Sequence, residues 1–159
     1  IANAFIWARE ACPNAILVLN DYNNIEWEKD SAHFVDIVKK IKALNAPIDA
    51  VGAQSHDLDH ASVTSSTVKT LLNKLHEDTG LPVYITELDL DTSDDAKQLE
   101  MYKTFFPMFW EPEWIHGITI WGWIYGQTWS MAPNSGLIRN GSFRPAMTYL
   151  MEQLGRPAS

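Results

Sequence analysis

Two acidic side chains, Glu87 and Asp89, end an apolar run that begins at Val83. Because side chains alternate along a strand, we expect both acids to share the face of Ile85, with Leu88 on the opposite face. Carboxylates are rarely buried without a partner or a function. Two of them at the carboxyl end of a buried strand lie where α/β barrels and open α/β sheets carry their chemistry. The pattern therefore predicts a catalytic or binding site at this strand end.

A histidine, His56, follows the preceding apolar run at Ala50–Ala53. Neighbouring parallel strands end at the same edge, so we expect its imidazole to reach Glu87. A carboxylate–imidazole–carboxylate chain would keep Glu87 ionised and oriented, with Asp89 fixing the tautomer of the ring. Such a carboxylate is suited to act as the nucleophile of glycoside hydrolysis. The alternative is an ion-paired acid at a strand end with no catalytic role.

An aromatic loop follows the last predicted strand, at residues 121–129, and contains three of the seven tryptophans in the chain. Trp121 and Trp129 stand at its two ends, where two indoles at one mouth would enclose a sugar ring and stack on its C–H faces. The alternative is an apolar lid over the interior of a barrel.

Helical and extended patterns alternate along the chain. Helices are predicted at residues 2–11, from Asp30 or Ser31 to 44, from Ser65 or Ser66 to 79, from about 94 to 111, and from about 145 to 154. Strands are predicted at residues 15–19, 50–53, from 83 onward and 117–121. Right-handed crossovers make such strands parallel, so their polar ends share one rim. The side chains expected there are Asn20, Gln54, His56, Glu87 and Trp121.

Four βα units are half of a (β/α)8 barrel, which needs eight strands and about 250 residues. The expected fold class is thus α/β, with the whole chain, residues 1–159, forming the C-terminal half (strands 5–8) of a single TIM barrel. Half a barrel exposes two strand edges and one face of its sheet. We therefore expect the chain to need a partner, either the N-terminal half of the same barrel or a second copy.

Composition excludes several classes of function. The net charge of −8 argues against nucleic acid as a partner. No apolar run approaches the roughly 18 residues that a membrane span needs. Ligand-type residues lie close together at His56 to His60, but an i,i+4 histidine pair would need a helix there, so we expect neither a metal nor another cofactor.

The motifs, in their order and spacing, resemble the C-terminal half of the catalytic barrel of glycoside hydrolase family 10, the retaining endo-β-1,4-xylanases. They are AREACPNA at residues 8–15, LNDYN at 19–23, GAQSH at 52–56, ITELD at 85–89 and WGWIYGQTW at 121–129. The resemblance implies that Glu87 is the nucleophile, that Gln54 and His56 contact it and its sugar, and that Asp89 supports His56. It also implies two groups of contacts around the sugar. These are Trp121 and Trp129 beside the sugar at the nucleophile, and Asn20 and Tyr22 on the leaving-group side.

Two departures from the family pattern concern the more distant sugar contacts. Trp123 and Tyr125 stand where family members often have a small residue and an acid, and Ser130 stands where they often have an arginine. We include Trp123 and Tyr125 among the candidate substrate contacts. Arg139 is a candidate to compensate for these departures by donating hydrogen bonds to sugar hydroxyls.

The family places its acid/base in an Asn-Glu pair at the end of the fourth barrel strand, and this sequence contains no Asn-Glu dipeptide. The resemblance therefore implies that the acid/base lies on polypeptide outside this chain, which alone should hydrolyse little or no xylan. Two alternatives remain. One is a related retaining β-glycanase acting on glucan or mannan, although Gln54 and His56 favour xylan; the other is a non-catalytic sugar-binding or self-associating half-barrel. The polymeric substrate and the resemblance imply a secreted, periplasmic or cell-surface location.

Overall fold

The structure is a computed structural model that describes residues 1–157, in which helices and strands alternate from the start of the chain. The elements are α1 (Ala2–Ala11), β1 (Val18–Asp21), α2 (Glu28–Ala43), β2 (Ala50–Ala53), α3 (Ser65–Thr79), β3 (Val83–Leu88), α4 (Asp95–Trp110), β4 (Ile115–Ile120), β5 (Ile138–Arg139), β6 (Ser142–Phe143) and α5 (Pro145–Gln153). A single structural unit over residues 1–159 stays a prediction, and its last two residues lie outside the described part.

Strands β1 to β4 form one parallel sheet in chain order, with a helix between each strand and the next. This is the expected succession of βα units. Within residues 1–157, the outer edges of β1 and β4 have no neighbouring strand. All four strands end at the same edge of the sheet, which therefore collects the side chains that follow them.

The helices cover one face of the sheet and leave the other partly open. Val38 of α2, Leu72 of α3 and Phe109 of α4 are almost completely buried with Ile85 of β3 in one continuous core. Burial of such side chains contributes about 1.5–3 kcal/mol each. On the open side Tyr84 is only half-buried and lies edge-on to the exposed ring of His116. One face of the sheet thus carries the core and the other stays accessible.

The start of β1 and the start of α2 differ from the sequence-based expectations. β1 begins at Val18 rather than at residue 15, because the N–H of Leu17 bonds to the Asp49 carboxylate and not to a strand. Helix α2 begins at Glu28, and the predicted caps at Asp30 and Ser31 are wrong. The extended backbone of Trp27 precedes the helix without a side-chain cap, and acidic residues in the first turn favour this helix start.

A bulge in β3 breaks the expected alternation of side chains. Ile85 pairs with Ile118 and Leu88 pairs with Ile120. An advance of three residues along β3 is therefore matched by an advance of two along β4, which is the mark of a bulge. Ile85 and Leu88 are both completely buried in the core. The prediction that Glu87 shares the face of Ile85, with Leu88 opposite, is therefore wrong. The bulge directs Glu87 away from the core.

A short antiparallel hairpin, β5–β6, was absent from the sequence-based expectations. Its turn is formed by Asn140 and Gly141, with φ of 51° and 77°. Asparagine and glycine tolerate positive φ and favour this kind of two-residue hairpin turn. The dipeptide therefore was a sequence signal for a hairpin turn.

No helix among residues 1–157 is both long enough and apolar enough to cross a bilayer.

Candidate active site

The centre of the site is a chain of three titratable side chains contributed by two neighbouring strands. The Nδ1 atom of His56 lies 2.9 Å from Oδ1 of Asp89, and its Nε2 atom lies 3.2 Å from Oε2 of Glu87. Asp89 is 2% exposed, whereas the side chains of His56 and Glu87 keep 14% and 16% of their surface in solvent. The structure thus brings together the three residues as expected, with Glu87 at the accessible end.

Each carboxylate oxygen of Asp89 contacts one nitrogen, Nδ1 of His56 or Nε1 of Trp129. Its Oδ2 atom accepts a hydrogen bond of 2.8 Å from Nε1 of Trp129, whose ring lies 4.8 Å from the imidazole of His56. A buried carboxylate with both oxygens engaged is a rigid support for the ring beside it. Asp89 is therefore placed to orient His56, not to contact a substrate.

The electrostatics favour a positively charged imidazole at His56. Burial opposes the charged ring, but hydrogen bonds and charges from Asp89 and then Glu87 outweigh burial and raise the pKa of His56 above its ordinary value. Both ring nitrogens face a carboxylate oxygen, which only the protonated ring can satisfy with two donated hydrogen bonds. The ring also lies beside Glu87, with Nε2 facing Oε2 of that carboxyl group.

Asn20, at the end of β1, holds the second oxygen of Glu87. Its Nδ2 atom donates a hydrogen bond of 3.0 Å to Oε1 of Glu87, and its Oδ1 atom accepts one of 2.7 Å from Oγ1 of Thr86. This contact crosses β2 above Gly52, where an added Cβ would lie 2.5 Å from Oδ1 of Asn20. The resemblance placed Asn20 on the leaving-group side, whereas the structure shows its amide bound to the proposed nucleophile. Sequence reasoning missed the contributions of Thr86 and Gly52.

An open cleft of about 420 Å³ lies over these groups. Its lining includes the expected residues Tyr22, Gln54, His56, Glu87, Trp121 and Trp129, together with Asn23, Asp57 and Met131. The exposed rings of Trp121 and Trp129 flank the imidazole, with that of Trp121 edge-on at 6.2 Å. Sequence reasoning missed Met131, an exposed thioether that no motif singled out. Aromatic walls beside a carboxylate suit a sugar ring, whose C–H faces stack on indoles.

Besides Asn20, three predicted substrate contacts do not line this cleft. The hydroxyl of Tyr125 donates to Oδ1 of Asn134, and its ring lies 4.2 Å below the guanidinium of Arg139. Arg139 donates to the carbonyl of Ser93, so the contacts do not support its proposed role as a donor to sugar hydroxyls. Trp123 is 59% exposed and lies outside the cleft. Trp123 and Tyr125 belong to the aromatic loop, whereas Arg139 belongs to β5.

Arg144 fixes that loop and was not found from the sequence. It is 2% exposed and donates to Oδ1 of Asp95 at 2.7 Å. It also donates to the carbonyls of Asn134, Gly136 and Thr92. A single buried guanidinium thus ties residues 134–136, which follow the aromatic loop, to the start of α4. No sequence pattern distinguishes this arginine from one on the surface.

No group of three or more potential metal ligands is assembled in the described part of the chain. Around His56, the neighbouring residues have other contacts: Asp57 accepts a hydrogen bond from Nε1 of Trp27, and His60 packs edge-on against the same ring.

Comparison with known proteins identifies the family. The model of glycosyl hydrolase family 10 matches residues 1–152. The chain belongs to this family. A similar curated relative is endo-1,4-beta-xylanase B of Cellvibrio japonicus, 42% identical over 152 residues, which are 95% of this chain and 24% of that protein.

Solved structures of family 10 enzymes confirm the fold class. Native xylanase 10B from Thermotoga maritima superposes with a TM-score of 0.83 at 26% identity, covering 97% of this chain and 51% of that one. Xylanase 10B from Thermotoga petrophila, solved with xylobiose, gives a TM-score of 0.83 at 28% identity and covers 97% and 50%. The chain spans about half the length of these barrels and a quarter of the Cellvibrio relative. It is half of a family 10 (β/α)8 barrel.

Proposed function

We propose that this chain carries the nucleophile of a retaining endo-β-1,4-xylanase. The observation that carries the proposal is Glu87, whose two oxygens are held separately by Asn20 and His56 at the base of a tryptophan-lined cleft. Endo-1,4-beta-xylanase relatives and a relative solved with xylobiose support xylan as the substrate class. A carboxylate held in this way at both oxygens is oriented to attack the anomeric carbon of a bound sugar.

The reaction proceeds in two displacements. An oxygen of Glu87 attacks the anomeric carbon, the glycosidic C–O bond breaks, and a second carboxylic acid protonates the departing oxygen. Water then attacks the same carbon and gives its proton to the conjugate base of that second acid, while the bond from the carbon to Glu87 breaks; the sugar leaves with its original configuration and the Glu87 carboxylate is restored. His56 and Asn20 keep the carboxylate oriented throughout, while Trp121 and Trp129 hold the sugar above it.

The second carboxylic acid is proposed to lie on polypeptide outside this chain. Retention requires the two carboxyl groups to lie about 5–5.5 Å apart. Asp89 cannot serve, because it is buried and engaged by His56 and Trp129. The outer edges of β1 and β4 and the accessible face of the sheet are where the other half of a barrel would dock. Association of two copies over that face is the competing arrangement, and size-exclusion chromatography with light scattering distinguishes the two.

Trapping of the glycosyl-enzyme tests the nucleophile without the acid. A 2-deoxy-2-fluoro-xylobioside with a dinitrophenolate leaving group needs no protonation to depart, and the fluorine slows release of the sugar. We expect the intact mass of the chain to rise by one fluoroxylobiosyl group, with the modified peptide containing Glu87. The Glu87→Gln variant should not be labelled, whereas Glu100→Gln, a change at an exposed residue of α4, should label normally. Labelling at another residue would refute the assignment.

Turnover is tested in a hybrid barrel, in which this chain replaces the matching half of the Thermotoga maritima enzyme. We expect the hybrid to hydrolyse xylan with retention of the anomeric configuration, and the chain alone to be inactive. Glu87→Gln should lower the hybrid's rate by about 10⁴-fold or more, as loss of a nucleophile typically does. Preferential hydrolysis of β-glucan or mannan would assign a related glycanase. Binding without turnover or trapping would assign a sugar-binding role.

We also propose that the enzyme acts outside the cytoplasm, on the secreted, periplasmic or cell-surface side. The support is the size of the proposed substrate, since polymeric xylan does not cross a membrane. Fractionation of the native cells, followed by detection of the protein in each fraction, tests this location.

A further inference from the structure

Asn134, which follows the aromatic loop, has each of its polar groups engaged by another segment of the chain. Its backbone N–H donates to Oδ1 of Asp91, and its Nδ2 atom donates to Oδ2 of the same carboxylate at 3.3 Å. Its Oδ1 atom accepts a hydrogen bond of 2.7 Å from the hydroxyl of Tyr125, and its carbonyl accepts one of 2.7 Å from Nη1 of Arg144. An asparagine with all of its donors and acceptors paired in this way is held in one position.

Two consecutive tight turns lead from Trp129 to the residue after Asn134. The carbonyl of Trp129 accepts the N–H of Ala132 at 3.1 Å, and the carbonyl of Ala132 accepts the N–H of Ser135 at 3.2 Å. The Oγ atom of Ser135 adds a bond of 2.8 Å to that carbonyl. We call residues 129–135 the braced segment. Because it is bonded internally, a shift at its Asn134 end must move its Trp129 end as well.

The residues that follow β3 hold the braced segment near both of its ends. Asp89 accepts the Nε1–H of Trp129 at 2.8 Å. Asp91, two residues later, accepts the two donors of Asn134, and its own N–H donates to Oδ2 of Asp59 at 2.9 Å. A single hydrogen bond does not fix the plane of an exposed indole. The attachment at Asn134 supplies the second point of support.

We propose that Asn134 is a positioning residue for Trp129. Its bonds to Asp91 and Tyr125 fix the braced segment, so that the indole stays bonded to Asp89 and keeps its place in the wall of the cleft. Asn134 is not among the residues that line the cleft and does not touch the substrate in this arrangement. The inference deepens the proposed function and rests on it, because Trp129 is one of the sugar contacts proposed there.

The indole N–H of Trp129 reports its position without any substrate. While this N–H donates to Asp89 it exchanges slowly with solvent, and each opening of the contact allows exchange. The rate is measured by NMR in the 159-residue chain, with the signal assigned by its loss in Trp129→Phe. The indole N–H of Trp27, which donates to Asp57 at 3.0 Å away from the braced segment, serves as an internal reference. A general loss of stability would speed both signals, whereas a loss of positioning speeds one.

Two variants remove contacts of Asn134. Tyr125→Phe removes only the hydroxyl that donates to Oδ1 of Asn134, and should speed exchange of the Trp129 N–H about threefold or more, as the loss of one neutral hydrogen bond implies. Asn134→Ala removes both of its side-chain bonds and should speed this exchange about tenfold or more. In both variants the Trp27 signal should change less than about twofold.

Each variant has a matched control of the same chemical change. Tyr149→Phe alters a half-buried ring of α5, and Asn73→Ala alters an exposed position of α3. Both controls should leave the exchange rates of Trp129 and Trp27 unchanged.

Trapping by the fluoroxylobioside separates sugar binding from chemistry. The hydrogen bonds of Glu87 come from Asn20 and His56, which lie outside the braced segment. Asn134→Ala should therefore raise the fluoroxylobioside concentration that gives half of the limiting trapping rate by about threefold or more, because a displaced Trp129 stacks less well on the sugar. The limiting rate itself should change less than about twofold.

The outcomes are distinct. The inference is wrong if exchange of the Trp129 N–H matches the parent chain in both variants, or rises only in step with that of Trp27. Faster exchange with an unchanged half-saturating concentration also overturns it, since the sugar would then be held as before. Should Asn134→Ala fail to fold, Tyr125→Phe decides by the same criteria. Failure of trapping at Glu87 in the parent chain rejects the proposed function, and the exchange rates still decide whether Asn134 holds the indole.

Discussion

Replacing Asp89 by asparagine tests the arrangement of protons at the centre of the site. In the structure each carboxylate oxygen of Asp89 accepts one hydrogen bond, from His56 at 2.9 Å and from Trp129 at 2.8 Å. An asparagine offers one oxygen and one NH2 group. When the ring is protonated, one of the two N–H donors then faces another donor, and the imidazole loses an adjacent negative charge. The change alters no side-chain volume, so packing is preserved.

The expected cost depends on pH. A hydrogen bond to a charged group contributes about 1.5–3 kcal/mol, and Asp89→Asn removes one such bond, so we expect the free energy of unfolding to fall by about 1.5–3 kcal/mol at acidic pH. The raised pKa of His56 means that its ion pair with Asp89 stabilises the folded chain fully below the unfolded pKa of about 6.5. This stabilisation is lost as the pH rises through the folded pKa. The difference in the free energy of unfolding between the parent chain and Asp89→Asn should therefore become smaller towards alkaline pH.

Urea unfolding between about pH 5 and pH 9, combined with NMR titration of His56, measures both effects. Asp89→Asn should lower the pKa of the ring as well as the stability. The matched control is Asp36→Asn, which removes an exposed carboxylate paired with Lys40 at 2.6 Å and should change stability little at any pH. Unfolding curves for Asp89→Asn that run parallel to those of the parent across the range, or an unchanged His56 pKa, would refute the reasoning.

Two further predictions concern the cleft and the sheet beneath it. In the hybrid barrel, Trp129→Ala should weaken xylobiose binding in calorimetry by about tenfold or more, since stacking on an aromatic ring is worth about 0.5–1.5 kcal/mol beyond buried area; Trp110→Ala, an exposed indole at the end of α4, should not. Equal losses for both would show that the cleft is misassigned. Gly52→Ala places a Cβ 2.5 Å from Oδ1 of Asn20 and should cost about 1–3 kcal/mol in urea unfolding and slow fluorosugar trapping. Gly80→Ala, at φ +67° with open space around it, should lower the free energy of unfolding by about 1 kcal/mol and leave the trapping rate unchanged. Equal trapping rates for Gly52→Ala and Gly80→Ala would contradict the argument that a Cβ at position 52 crowds Asn20.

Local sequence was sufficient to predict the bounds of β2 and the proximity of His56 to Glu87 and Asp89. Strand β2 is a short apolar run followed by polar residues, and β3 ends in acids, so both carry their functional groups immediately after a recognisable pattern. Parallel order then brings His56 and Glu87 together without any knowledge of side-chain packing. The aromatic loop was located in the same way, because Trp121 directly follows β4.

Features set by contacts between distant segments were not predictable. The bulge in β3 depends on its pairing with β4, and strict alternation therefore gave the wrong face for Leu88. The start of β1 depends on the Asp49 carboxylate, 32 positions from the Leu17 N–H that it accepts. Arg139 and Arg144 have similar surroundings in the sequence, yet only the structure shows that both are tied to the segment before α4. Sequence periodicity carries no information on such pairings.

The contacts of the proposed nucleophile explain why its chemistry can be tested separately from that of the proposed acid. One oxygen of Glu87 is held by Asn20 from β1 and the other by His56 after β2. Asp89 and Trp129, which follow β3 and β4, then fix the imidazole. Each strand of the half-barrel thus supplies one link, and no link requires the proton donor. An acid about 5 Å away would protonate the leaving oxygen without a hydrogen bond to Glu87. The rate of trapping by a sugar that needs no acid should therefore report on this half-barrel alone.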